Sequence, residues 1–127
     1  MRDAALPRMT MIKTGQSPIT LINTFEVEPE HQLALIEVLE EATEQVMRHV
    51  PGFVSANIHR SLDGRHVVNY AQWESRAAFE AMPQFPGVRD HMEKAAKLCK
   101  RFRPELYEVA GVHDVPDVHE FRSSSVH

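Results

Sequence analysis

Residues Ile19–Val27 change character at every step, with Ile19, Leu21, Asn23 and Phe25 on one side and Thr20, Ile22, Thr24 and Glu26 on the other. A period of two predicts a strand. Asn23 interrupts its apolar side. The period then lengthens: Leu35, Ile36, Leu39, Ala42, Thr43, Val46, Met47 and Val50 recur at intervals of three and four, the apolar stripe of a helix. Glu28-Pro29-Glu30 opens that helix, because proline is pre-set for the first helical position and acidic groups suit the positive end of the dipole. Pro51-Gly52 stops it. Glu37, Glu40, Glu41, Glu44 and Arg48 fall largely outside the stripe and read as its solvated face.

Strand character returns at Phe53–Arg60 and again from His66 to Ser75, with Asp63-Gly64 between them as a hairpin signal. On the later strand Val67, Asn69, Ala71 and Trp73 share one face, and His66, Val68, Tyr70 and Gln72 the other. Ser75 suits the N-cap of a helix containing Ala77, Ala78, Phe79 and Met82, which Pro83 and Phe85-Pro86-Gly87 break. A second piece runs from Val88 to about Lys100, with Met92, Ala95, Ala96 and Cys99 apolar; Pro104 ends it, and Leu106–Val112 predicts the last strand.

The order β-α-β-β-α-β predicts an α+β, ferredoxin-like domain: a four-stranded antiparallel sheet with helices packed on one face. The other face, including Thr20, Ile22, Val68 and Tyr70, is too apolar for a wide patch in water. A second copy of the sheet would cover it, so a homodimer is expected. The expected boundaries are an arm over 1–17, the domain over 18–113 and a tail over 114–127.

At 127 residues the chain makes one domain, and its balance of 14 basic against 18 acidic residues, net −4, comes without a basic block interleaved with aromatics. No nucleic-acid partner is expected. No apolar run approaches the ~20 residues of a membrane span, and the N-terminal stretch lacks the apolar core of a secretory signal. Cys99 stands alone, which excludes an internal disulfide framework. A cytoplasmic setting fits. Of the eight histidines, those at 113, 119 and 127 cluster towards the end without a standard ligand spacing, so no metal site is expected. No Gly-rich phosphate loop for a flavin or nicotinamide is present, and no Cys/His cluster for iron, so no cofactor is expected.

What remains is the shared face of Asn69, Ala71 and Trp73. An amide, a small residue and an indole, with about 13 Å between the first and last, would floor a pocket for a flat, oxygenated aromatic molecule. The run Asn69-Tyr70-Ala71-Gln72-Trp73-Glu74-Ser75, preceded by Pro51-Gly52-Phe53-Val54-Ser55-Ala56 and by Asp63-Gly64, resembles the antibiotic biosynthesis monooxygenase family, and the likeness extends over roughly Ile19–Val112. That resemblance implies a dimeric α+β barrel and an oxygenase. Without a cofactor, the electron would come from the substrate: a phenol, quinol or anthrone that loses a proton, passes an electron to dioxygen and ends as a quinone.

Within the resemblance Asn69 and Trp73 match the family's motif. Asn69 would donate its amide to a substrate oxygen gaining negative charge, and Trp73 would stack on the rings and offer its indole N–H. His91 is the third catalytic candidate, since histidine titrates near neutrality. Asn23, Phe79, Met82 and Arg89 are candidate substrate-binding residues. A family member carries a Tyr where this chain has Phe79, and an Arg farther along for which Arg89 is the nearest counterpart. Two other readings stand beside this one. Asn23 and His91 resemble the polar Asn and haem-ligating His of a haem-degrading branch, although that branch's distorting Trp falls near Met82. The third reading is a non-catalytic dimeric module that shields a reactive aromatic intermediate.

Overall fold

The computed structural model of this chain describes residues 9–116, and its order of elements is the expected one. Strand β1 is Gly15–Glu26, helix α1 Gln32–Gln45, β2 Phe53–Arg60, β3 His66–Trp73, α2 Arg76–Ala81, α3 Val88–Leu98 and β4 Arg101–Val109. All neighbouring strands pair antiparallel in the order β2-β3-β1-β4. This is the ferredoxin-like α+β plan, with its second helix split into α2 and α3. Among the described residues no helix is long and apolar enough to cross a membrane.

Local chemistry explains the joints. Ser75 caps α2, its Oγ accepting from the Ala78 N–H at 3.1 Å. Gly52 has φ +86°, and a Cβ there would strike the Ala78 side chain, so only glycine lets the turn before β2 lie against α2. Helix α1 ends at Gln45, short of Pro51, and a 3₁₀ turn at Met47–His49 completes the stripe. The residue before a proline is pushed towards extended backbone, and Val50 accordingly has ψ 132°. The last turn therefore tightens instead of continuing as α-helix.

Two expectations need correction. The last strand begins at Arg101 and stops at Val109, not Leu106–Val112, and Pro104 lies inside it instead of closing a helix. β4 is an edge strand, so a residue lacking an N–H costs it no ladder bond on its open side. α3 has already ended at Leu98, and the Lys100 N–H bonds Glu26 O at 2.7 Å, drawing the chain straight into the sheet. The outer sheet face is also less bare than expected. Gln72 Nε2 donates to Met11 O at 2.6 Å, and Asn57 Nδ2 donates to Thr10 Oγ1 at 2.8 Å, so part of the arm crosses this face. Thr20 and Gln72 beneath it are only 3% and 2% exposed. Residues 1–8 and 117–127, including His119 and His127, lie outside the described residues.

On the helix-facing side the register stacks side chains into rungs. Phe102, Phe25 and Val67 form one; Leu106, Leu21, Ala71 and Ala56 form another. Apart from the half-exposed Phe102, each belongs to its own hydrophobic cluster. One gathers Leu21, Val50, Ala71, Trp73, Met82 and Val88; the other Phe25, Val27, Leu35, Val67 and Ala95. Leu35, Val67 and Val88 are fully buried, and burying each stabilises the fold by roughly 1.5–3 kcal/mol. The rung between the clusters reads Pro104, Asn23, Asn69, Ile58. It alone places amides in the middle of the core.

Candidate active site

Above the asparagine rung, α1 and α3 leave a cavity of about 150 Å³ against the sheet. Close-packed interiors hold few voids larger than a water molecule, so a space of this size is a feature of the fold and not a packing accident. Leu39, Ala42, Thr43 and Met47 line it from the α1 side, Val88, His91, Met92, Ala95 and Ala96 from α3, and Phe79 and Met82 from the α2 end. Met92 and Phe102 are each 43% exposed and mark its opening.

Asn23 and Asn69 are directly opposed across the β1–β3 ladder, and both line the cavity. Each has a buried side-chain carbonyl oxygen with no hydrogen-bond partner. Turning an amide over exchanges its oxygen and nitrogen, so in either sense a polar end is left to be satisfied. A buried group in that condition costs about 1–3 kcal/mol. Among the described residues that line the cavity, His91 is the only one with a titratable side chain, and its Nδ1 is likewise buried without a partner among them. The set combines hydrogen-bonding amides, one proton acceptor and an apolar wall. Such a site can bind a flat molecule, take a proton from it and stabilise the resulting anion.

The structure thus brings Asn23, Asn69, Phe79, Met82 and His91 to one cavity. It does not bring Arg89, which is exposed, donates from Nε to Pro83 O at 3.4 Å and is absent from the lining. The helical break at Pro86-Gly87 turns α3 so that His91, two positions on, faces the sheet instead. Trp73 does not line the cavity either. It is 0% exposed and gripped edge-on by Phe53 at 5.5 Å and Phe79 at 5.9 Å between ring centres. Phe79 lines the cavity and touches the indole, so it stands between the two. The indole N–H is nonetheless buried with no acceptor. Phe102, Pro104, Thr43 and Met47 belong to the lining without having been singled out in the sequence. The stripe on α1 pointed to Thr43 and Met47; Phe102 and Pro104 were hidden by the late placement of β4. Cys99 is not in the lining, and burial pushes its thiol above the ordinary range, so it offers no ready thiolate.

Residues 18–94 match the family described as antibiotic biosynthesis monooxygenase. The chain belongs to that family. It is 47% identical to the tetracenomycin-F1 monooxygenase of Streptomyces glaucescens over 101 residues, which cover 80% of this chain and 89% of the relative. Its fold is similar to that of the ActVA-Orf6 monooxygenase of Streptomyces coelicolor, solved in complex with nanaomycin D. That match has a TM-score of 0.70 and 31% identity, over 80% of this chain and 95% of the other. SnoaB, a cofactor-independent oxygenase from Streptomyces nogalater, shares the fold at a TM-score of 0.64 and 22% identity, covering 80% of this chain and 99% of its own. The family membership makes the chain a monooxygenase, and the cavity is its candidate active site.

Proposed function

We propose that this monooxygenase oxidises a phenolic, quinol or anthrone-type polycyclic aromatic substrate to a quinone, using dioxygen and no cofactor. The observation that carries the reading is the opposed pair Asn23 and Asn69 facing an apolar cavity whose one titratable lining residue is His91. The names of two relatives, a tetracenomycin-F1 monooxygenase and an oxygenase bound to nanaomycin D, agree with a fused-ring substrate. A dry cavity of this size holds a single aromatic ring. A fused-ring molecule would extend from it towards Met92 and Phe102.

In this scheme His91 accepts the substrate proton, and the amides of Asn69 and Asn23 donate to the oxygen that becomes an enolate. The anion passes one electron to dioxygen; the substrate radical and superoxide combine into a carbon-bound peroxide anion. The imidazolium returns its proton to give the hydroperoxide, whose O–O bond breaks as the remaining C–H proton leaves with hydroxide as water and a carbonyl forms. A CH₂ group and O₂ thereby become a C=O group and H₂O, with four electrons moved from carbon to oxygen. Trp73, behind Phe79, sets the wall against which the rings lie. The protein works as a homodimer in the cytoplasm, its outer sheet face set against a second copy.

The test is oxygen uptake by the purified protein with an anthrone. Turnover should need neither flavin, nicotinamide nor metal, chelators should leave it unchanged, and ¹⁸O₂ should place one labelled atom in the quinone and one in water. A quinone oxygen drawn from solvent, or a rate no higher than background, would overturn the reading. Sedimentation should give twice the 14.5 kDa chain mass. Asn23 and His91 do line one cavity, which favours the haem-degrading reading as runner-up; a saturable Soret band on haemin titration, lost in His91→Ala, would promote it.

A further inference from the structure

His91 borders two spaces. Besides the substrate cavity it lines an open cleft on the outer side of α1 and α3, where its neighbours are Glu41 from α1 and Asp90, Glu93, Lys94 and Lys97 from α3. No other described residue lines both. His91 therefore stands between an apolar interior and an open, charged groove. The cavity it lines with the uncharged amides of Asn23 and Asn69 has no charged lining residue among the described ones, whereas five charged residues line the cleft with it.

From this placement we propose that His91 is a proton relay, taking the substrate proton inside the cavity and exchanging it with solvent through the α1–α3 cleft. The inference rests on the oxidation proposed above and adds the route by which the proton leaves. A base sealed in an apolar cavity keeps each proton it takes. Here the same residue also lines a cleft with charged side chains, so the cavity can stay closed to bulk water while protons pass. The cleft holds three carboxylates against two ammonium groups, side chains through which a proton can be passed on to solvent. The hydroperoxide step later needs a proton back, and the same route supplies it.

The experiment compares the wild type with His91→Ala, His91→Gln and Glu41→Lys, each assayed with anthrone and dioxygen across pH. His91→Ala should lower kcat about a hundredfold with KM little changed, and free imidazole should restore part of the loss in proportion to its concentration. His91→Gln preserves the wall but cannot carry a proton, so it should lose as much and gain nothing from imidazole. Glu41→Lys, on the exposed side of the cleft, removes one carboxylate of the exit and should lower kcat by roughly threefold with KM unchanged. Wild-type kcat in His91→Gln, imidazole without effect on His91→Ala, or an unchanged kcat in Glu41→Lys would each overturn the relay while leaving the oxidation standing. A wild type that never exceeds the uncatalysed rate would overturn the oxidation, and the relay with it.

Discussion

The two faces of the sheet treat the same functional group in opposite ways. On the outer face the amides of Asn57 and Gln72 are satisfied. Asn57 Nδ2 donates to Tyr70 O at 3.2 Å and to Thr10 Oγ1 at 2.8 Å. Gln72 donates to Met11 O at 2.6 Å and accepts from Ser55 Oγ at 3.1 Å. On the inner face Asn23 and Asn69 keep buried oxygens without partners. Strand β3 carries both kinds, Asn69 pointing in and Gln72 pointing out. Thr20 also has an unpartnered hydroxyl on the outer side, but a single rotatable O–H under a crossing segment is a smaller cost than two opposed amides. Partnered amides hold the molecule together. Unpartnered ones cost stability, and under the oxidation proposed above they are the groups a substrate would satisfy.

The contrast is broken most directly at Asn69. Asn69→Ala should lower kcat for anthrone oxidation about a hundredfold, near 3 kcal/mol of lost transition-state stabilisation. Thermal unfolding should show no loss of stability, because an unpaired buried amide is removed with the side chain. An unchanged kcat accompanied by a lower Tm would reverse the roles assigned to the two faces.

On the outer face the expected effect is smaller and of the opposite kind. Gln72→Ala should cost about 1–3 kcal/mol of stability, measured by denaturant unfolding, since it orphans Met11 O and Ser55 Oγ together. Its kcat per folded molecule should stay close to wild type. If instead the activity collapses while stability holds, the outer face communicates with the cavity and the simple division fails.

How far the chain announces this division differs by element. Phe53–Arg60 and the start of β3 at His66 were legible to the residue, because alternation and the Asp63-Gly64 turn act over a few neighbouring positions. Asn23 and Asn69 could each be placed on the apolar side of a strand. That they face one another could not be read, since the β1–β3 register joins segments far apart in the chain and depends on how α1 and the hairpin bring them together. Arg89 and His91 show the same limit. Both sit early in α3, and only the packing of that helix against α1 and the sheet decides which reaches the cavity. Trp73 carried the strongest family signal yet lies behind Phe79, because a motif gives residue and face but not the order of layers above it. Pro104 misled for a local reason: a proline reads as a stop unless the strand is known to be at the edge.

The smallest effect belongs to neither face. In the turn between β2 and β3 the Asp63 carboxylate accepts from Ser61 Oγ at 2.7 Å and from the Arg65 N–H at 3.0 Å. The Ser61 hydrogen bond first, and the Arg65 backbone bond second, hold its pKa below the ordinary 3.8. A carboxyl group whose folded value is depressed contributes stability that is complete above its unfolded value and disappears as pH falls through the folded one. Asp63→Asn should therefore lower the denaturant midpoint slightly at neutral pH, and the two proteins should converge once the medium is more acidic than the lowered value. The group is fully exposed, so the difference at neutral pH should be near the limit of measurement. Activity should not change, because the alternation of β2 and β3 already commits Val67 and Asn69 to the inner face, and slipping by one residue would send Val67 to solvent. A drop in kcat in Asp63→Asn with the fold intact would mean that the turn carboxylate, and not the buried face, sets the register that brings Asn69 opposite Asn23.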